Sequence, residues 1–372
     1  MAFKLPKYSD LTDEQRVIVN LPFDRNHLVT GAPGTGKSVI AIYRASDMVN
    51  AGHDVLLLVY NRPLMLYITS AVNRLDIDAS VNTWQSWMSE FYRDEFGCSY
   101  PQLNGPFTYD WSVIKKNFSK LGKKYDQIII DEAQDVPLDL IESLKLISKG
   151  VTCFMDEKQS IIDCYTDSTD VADVLGVRQA YTLWNNFRNP KGIYDFARVF
   201  NPEADSDTVN HDATKPTMYK CSDFGHDKPD QLTSKMAQVL RRNYSLDFIG
   251  VFVNNNRLRK TYEELSEELD DVDVYMYKSG VRDFKELDFD EPGVYVLSYA
   301  TMKGLEFDAV LLPTPENVLS SGDDTVDDNL FYVATTRASK KLFGFYIREH
   351  GSAKFIDFFG KIKKNRNLLS WE

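Results

Sequence analysis

Eight consecutive residues, Gly31-Ala32-Pro33-Gly34-Thr35-Gly36-Lys37-Ser38, constrain the fold more than any other stretch of the chain. They satisfy every fixed position of a phosphate-binding loop: glycine, four free positions, glycine, lysine, then serine or threonine. Glycine is needed because the backbone must curl until successive N–H groups point at one phosphate, with no Cβ in the way. Lys37 can reach the β- and γ-phosphates as a point charge, and Ser38 can offer its hydroxyl to Mg²⁺. The flanks agree. His27-Leu28-Val29-Thr30 reads as a short buried strand, and the pattern from Ser38 onward reads as a helix with its positive N-terminus toward the phosphates. A nucleoside triphosphate site is the expectation.

A second signal is Gln127-Ile128-Ile129-Ile130-Asp131-Glu132-Ala133-Gln134-Asp135. An apolar strand that ends in carboxylates places them at the C-terminal edge of a sheet, where α/β folds bind ligands. Asp131 is the candidate Mg²⁺ ligand beside Ser38, and Glu132 the candidate group that orients or deprotonates the attacking water. Residues 151–156 read as another strand ending in a carboxylate, Asp156. A further strand over 180–183 runs into Trp184, Phe187, Arg188 and Pro190.

The rest of the first half is plainer. Thr12 or Asp13 is a plausible cap for a helix that includes Gln15, which carries no signal by itself. Residues 55–60 form a continuous apolar run, as in a parallel strand buried on both faces. Trp84 and Trp87 read as packing residues. Residues 90–124 lack strong periodicity and close on a Lys-rich stretch (Lys115, Lys116, Lys120, Lys123, Lys124) that reads as a solvated helix.

The second half repeats the alternation of strands and helices. Strands are expected over 247–253, 272–277, 293–298, 308–312 and 342–347, and helices over 255–269, 329–338 and 352–362. This second α/β unit has no phosphate loop. Its arginines point to a nucleotide held in a cleft between two lobes.

A length of 372 residues exceeds what one core usually supports, in line with two units. The four cysteines (Cys98, Cys153, Cys164, Cys221) are scattered without a CxxC pair, as expected for reduced thiols in a cytoplasmic protein. Residues 1–7 are too short and polar for a signal peptide, and no apolar run approaches the length of a membrane span, so no membrane association is expected. A net charge of −12 argues against coating nucleic acid by bulk positive charge, but leaves room for a local basic groove.

With these residues in view, the chain resembles the UvrD/Rep/PcrA branch of superfamily 1 helicases, with motifs in family order over nearly its whole length. Gln15 matches the adenine-reading glutamine. Gly31–Ser38 is the first motif, and the stretches at Asn61 and at Thr83-Trp84 look like its nucleic-acid-contacting followers. Asp131-Glu132-Ala133-Gln134-Asp135 is close to motif II, and Asp156–Ser160 to motif III with its coupling Gln159. Asn186-Phe187-Arg188-Asn189 looks like motif IV, whose aromatic stacks on adenine and whose arginine touches the γ-phosphate. Lys303–Phe307 matches motif V, whose glutamate, here Glu306, meets the ribose. Tyr332–Ala338 matches motif VI with a second arginine finger, Arg337.

The resemblance implies two RecA-like lobes with parallel sheets, divided as 1–190 and 191–372, and with residues 90–124 as a short insert. It also implies ATP and Mg²⁺ as cofactors, and 3′-to-5′ movement along single-stranded DNA across Asn61, Thr83, Trp84 and Tyr165. The chain departs from the family in lacking room for the large accessory domains. Ala300 replaces a common histidine, and only Tyr165 is left of the aromatics that usually follow motif III. A second reading is an ATPase switch or regulatory subunit whose partner is a nuclease, repair or defence complex.

Overall fold

The alternation of apolar strands with helices produces two large, wholly parallel sheets among the described residues. The computed structural model describes residues 5–74, 79–103, 105, 108–156, 166–204, 206–221, 230–243, 245–278, 286–313, 324–346 and 353–372. The chain divides into two compact units, Leu5–Trp184 and Asn185–Glu372.

In the first unit, Thr12 starts α1 (Asp13–Val19) with a reciprocal cap. Its hydroxyl accepts the N–H of Gln15, and the Gln15 side chain accepts the N–H of Thr12. There follow β1 (His27–Gly31), α2 (Lys37–Asn50), β2 (Val55–Val59), α3 (Arg62–Arg74), β3 (Ser80–Thr83) and α4 (Trp84–Phe96). The unit continues with α5 (Trp111–Phe118), β4 (Tyr125–Ile130), α6 (Leu138–Ile147), β5 (Ser148–Met155), α7 (Ser168–Leu175) and β6 (Tyr181–Leu183). The strand order is β3-β2-β4-β5-β1-β6, with every pair parallel. Helical crossovers return the chain to the same end each time, so all the strand C-termini share one edge.

One face of this sheet presents Leu28, Leu56, Leu58, Ile128 and Ile130 to the helices α4 to α7. Residues 90–124 supply part of that core. Phe91, Tyr92, Ile114 and Phe118 are buried; Trp87 stacks on Phe91 at 4.9 Å, and Phe118 meets Phe91 edge-on at 5.2 Å. Their periodicity is weak because α5 has only eight residues. Lys115 bonds Asp139 and Glu142 of α6, and Lys124 pairs with Glu95 of α4.

The second unit contains β7 (Asn185–Asn186), α8 (Lys191–Ala197), β8 (Asp207–Thr208), β9 (Thr217–Lys220), α9 (Asp230–Arg241), β10 (Phe248–Val253) and α10 (Leu258–Glu268). It closes with β11 (Val274–Met276), β12 (Gly293–Ser298), β13 (Phe307–Pro313), α11 (Asp324–Thr335), β14 (Ala338–Tyr346), α12 (Ala353–Lys364) and β15 (Ser370–Trp371). Seven strands form a parallel sheet in the order β11-β12-β10-β13-β14-β9-β15, and β7 pairs separately with β8. Val251, Val253, Val296 and Leu311 pack against α9 and α10. Two mixed α/β units with parallel sheets agree with the expected RecA-like lobes. Among the described residues no helix is long and apolar enough to cross a membrane.

Candidate nucleotide site

The phosphate loop leaves β1 at Gly31 and enters α2 at Lys37. Gly34 and Gly36 adopt left-handed backbone, with φ of 74° and 89°. The loop is also too tight for larger residues. A Cβ on Gly31 would lie 2.8 Å from the Thr35 hydroxyl, and one on Gly36 2.7 Å from the Gln15 amide nitrogen. Thr35 locks the turn by donating its hydroxyl to the Ala32 carbonyl at 2.9 Å, across Pro33 and Gly34. No side chain caps the N-terminus of α2, so its first N–H groups face the loop's concavity, a ready anion cradle.

Lys37 is nearly buried and folds over the loop. Its ammonium donates to the carbonyls of Gly31 (2.6 Å) and Ala32 (3.0 Å) and lies 3.9 Å from Asp156. Gln15 braces the loop from outside, donating from its amide to the Thr35 carbonyl at 3.1 Å. The helix that carries Gln15 is itself tied down by Arg44 of α2. This fully buried guanidinium donates to the carbonyls of Val19 (3.1 Å), Leu21 (2.7 Å) and Pro22 (3.1 Å). Burial holds the Arg44 pKa down to about 10.

At the end of β4, Asp131 is fully buried and accepts a 2.6 Å hydrogen bond from the Ser38 hydroxyl. Burial, then the adjacent charge of Glu132, push its pKa up to about 6. A buried carboxylate pair next to a hydroxyl and an anion cradle has the oxygen donor set that suits Mg²⁺. Glu132 has φ of 56°, the one non-glycine left-handed residue among those described. Such a conformation costs about 1–3 kcal/mol and collects at functional sites. Gln134 secures it, donating to the Glu132 carboxylate at 2.5 Å while its own carbonyl accepts the Asp156 N–H at 3.0 Å. The sequence gives Gln134 and Asp156 no role of their own in the site. Only the register of β4 beside β5, which puts Ile130 opposite Cys153, brings them together.

The proposed nucleic-acid residues fall on the same sheet edge, at the ends of β2 and β3, where Val59 is the register partner of Thr83. Asn61 accepts the N–H of Leu64 at 2.8 Å, and Thr83 caps α4 by accepting the N–H of Ser86 at 3.3 Å. Trp84 lies in the core with its ring 5.2 Å from that of Tyr109. Gln159 and Tyr165 lie outside the described residues.

In the second unit, Arg188, Glu306 and Arg337 come together. The Arg188 guanidinium donates to the Glu306 carboxylate at 2.6 Å. Arg337 is fully buried and donates to the carbonyl of Val333 at 3.0 Å and that of Leu305 at 3.4 Å. Asn189 joins the two segments by donating to the carbonyls of Thr336 (3.0 Å) and Ala338 (2.7 Å). Phe187 is 41% exposed. The ion pair unites two residues to which the resemblance gave separate targets, γ-phosphate and ribose.

Residues 24–191 match the model of the Schlafen group 3 DNA/RNA helicase domain, and residues 293–343 that of the UvrD-like helicase C-terminal domain. Among solved structures the chain is similar to the C-terminal domain of a possible DNA helicase from Lactobacillus plantarum WCFS1. They share 19% identity over 50% of this chain and 98% of that one, with a TM-score of 0.36. It is also similar to the PRRSV helicase, at 15% identity over 89% of this chain and 54% of that one, with a TM-score of 0.42. No curated protein matches the chain.

Proposed function

We propose that this chain, which carries a helicase-type domain match in each half and resembles UvrD-like helicases, hydrolyses ATP and uses the cycle to move 3′-to-5′ along single-stranded DNA. The observation that carries the reading is the convergence of Lys37, Ser38, Asp131, Glu132 and Gln134 on one sheet edge around an uncapped helix N-terminus.

Lys37 exchanges loop carbonyls for β- and γ-phosphate oxygens, while the N–H groups of the loop and α2 hold the phosphate chain in line. Ser38 and Asp131 would hold Mg²⁺, which supplies positive charge against the phosphate oxygens when bound. Glu132, fixed by Gln134, takes the proton of the attacking water. Arg188 and Arg337 answer the charge that develops on the γ-phosphate, each giving up its present internal partners. Cytoplasmic placement belongs to the same proposal and rests on the scattered cysteines, of which Cys98, Cys153 and Cys221 are free thiols.

Asn61 and Thr83 stand at the ends of β2 and β3, on the edge where the DNA strand would be tracked. Affinity there must come mainly from local cations on phosphate and should fall with salt. The second reading, an ATPase switch within a nuclease, repair or defence complex, is favoured by one observation. Trp84, which the resemblance puts on the nucleic-acid path, is spent in the core. ATPase titration with single-stranded DNA at low and moderate salt separates the two. Stimulation that weakens with salt supports the motor; turnover indifferent to DNA leaves the switch.

A further inference from the structure

The strand order of the first unit gives a direction to anything held by the phosphate loop. β1 carries the loop, with β5 and then β4 on one side of it and β6, covered by α1, on the other. Lys37 lies toward Asp156, which follows β5, and Ser38 toward Asp131, which follows β4. A nucleoside triphosphate whose terminal phosphate meets these groups must run its nucleoside end the opposite way, toward β6 and α1.

Trp184 stands at that end. Leu183, the last residue of β6, is the register partner of Gly31, so Trp184 follows one residue beyond, level with the start of the loop. It is 50% exposed, whereas Trp84 and Trp87 are 6% and 4% exposed. Among the described residues no ring contact or side-chain hydrogen bond engages it. A single exposed apolar side chain is ordinary on a protein surface. What sets this one apart is its position on the nucleoside side of the loop.

We propose that Trp184 is the stacking platform for the base of the bound nucleoside triphosphate. This inference rests on the nucleotide reading above and deepens it by naming a base-binding residue on the loop's own sheet. Phe187, to which the resemblance gives adenine stacking, belongs to the other unit. An indole offers its face to any base and reads no hydrogen-bonding edge. It therefore favours purines by area without separating adenine from guanine.

The test compares ATP with inorganic tripolyphosphate, which has the phosphates but no base, on wild type, Trp184→Ala, Trp184→Phe and Lys37→Ala. Trp184→Ala should bind ATP about ten-fold more weakly, the loss expected for one base–aromatic stack. Its tripolyphosphate affinity should match wild type, and Trp184→Phe should keep most of the ATP affinity. ATP should quench the tryptophan fluorescence of wild type and not that of Trp184→Phe. Equal losses of ATP and tripolyphosphate in Trp184→Ala would make the residue structural and overturn the proposal. Unchanged ATP affinity would overturn it too, and if a single-stranded oligonucleotide were then bound more weakly, the platform would belong to nucleic acid. A wild type that binds ATP no better than Lys37→Ala would instead remove the nucleotide reading beneath it.

Discussion

The edge of the first sheet and the arginine cluster of the second unit are built on opposite plans. Around the phosphate loop, internal bonds aim groups into the concavity. Gln134 holds Glu132, Ser38 meets Asp131, and the N-terminus of α2 is left without a side-chain cap. In the second unit, internal bonds consume the groups that would act. Arg188 is paired with Glu306, and Arg337 is committed to backbone carbonyls. A cradle whose backbone donors are already aimed needs only Lys37 to exchange its loop carbonyls on binding, whereas arginines engaged elsewhere must both change partners before they act. On the proposed mechanism, binding is the business of the first unit and commitment to hydrolysis that of the second.

The largest effects that break this contrast are kinetic. Arg188→Ala should lower kcat by about 10³-fold with little change in ATP affinity, as for other arginine fingers. Its Tm should move little, because Arg188 and Glu306 are both partly exposed to solvent. Arg337→Ala should lower kcat and Tm together, since it strips buried carbonyls of their donor. Steady-state kinetics with parallel thermal melts would check both. Full kcat in Arg188→Ala would reduce that arginine to its ion pair.

A smaller effect sharpens the other side of the contrast. Glu132→Asn should stabilise the protein by about 1 kcal/mol, because asparagine tolerates the left-handed backbone that glutamate resists. Turnover should be lost in the same variant. A lowered Tm would mean that the Gln134 contact outweighs the strain.

The smallest expected effect concerns pH. Burial, foremost, holds the His27 pKa below its usual 6.5, although its ring bonds the Pro22 carbonyl at 2.6 Å. The unfolded chain therefore takes up the proton first, so His27 contributes stability that is present above pH 6.5 and lost as pH falls below it. Denaturant midpoints of wild type and His27→Asn between pH 7.5 and 5.5 should converge on acidification. Parallel pH dependences would remove His27 from the account.

How far the sequence could be read followed from how local each signal is. The phosphate loop and the strand ending at Asp131 carry their chemistry within a few consecutive residues, and the structure places Ser38 and Asp131 in contact. β14 begins at Ala338, four residues before the strand expected from Leu342, because pairing with β13 extends it through Lys340 and Lys341, which no apolar pattern marks. β15 is two residues long and exists only through β9, so no periodicity could reveal it. Trp84 reads as a packing residue among its polar neighbours and its ring is indeed in the core against Tyr109, whereas its place on the nucleic-acid path comes from the resemblance alone. The Arg188–Glu306 pair spans 118 positions and has no local signature.

The central claim is that the first unit's sheet edge hydrolyses ATP with Glu132 as the base that activates water. It is tested most directly by single-turnover hydrolysis of saturating ATP–Mg²⁺ in Glu132→Gln against wild type, with ATP affinity measured on the same preparations. The account predicts wild-type affinity and a hydrolysis step slowed by at least about 10²-fold, the loss expected for a positioned general base. Hydrolysis at the wild-type rate in Glu132→Gln would contradict it.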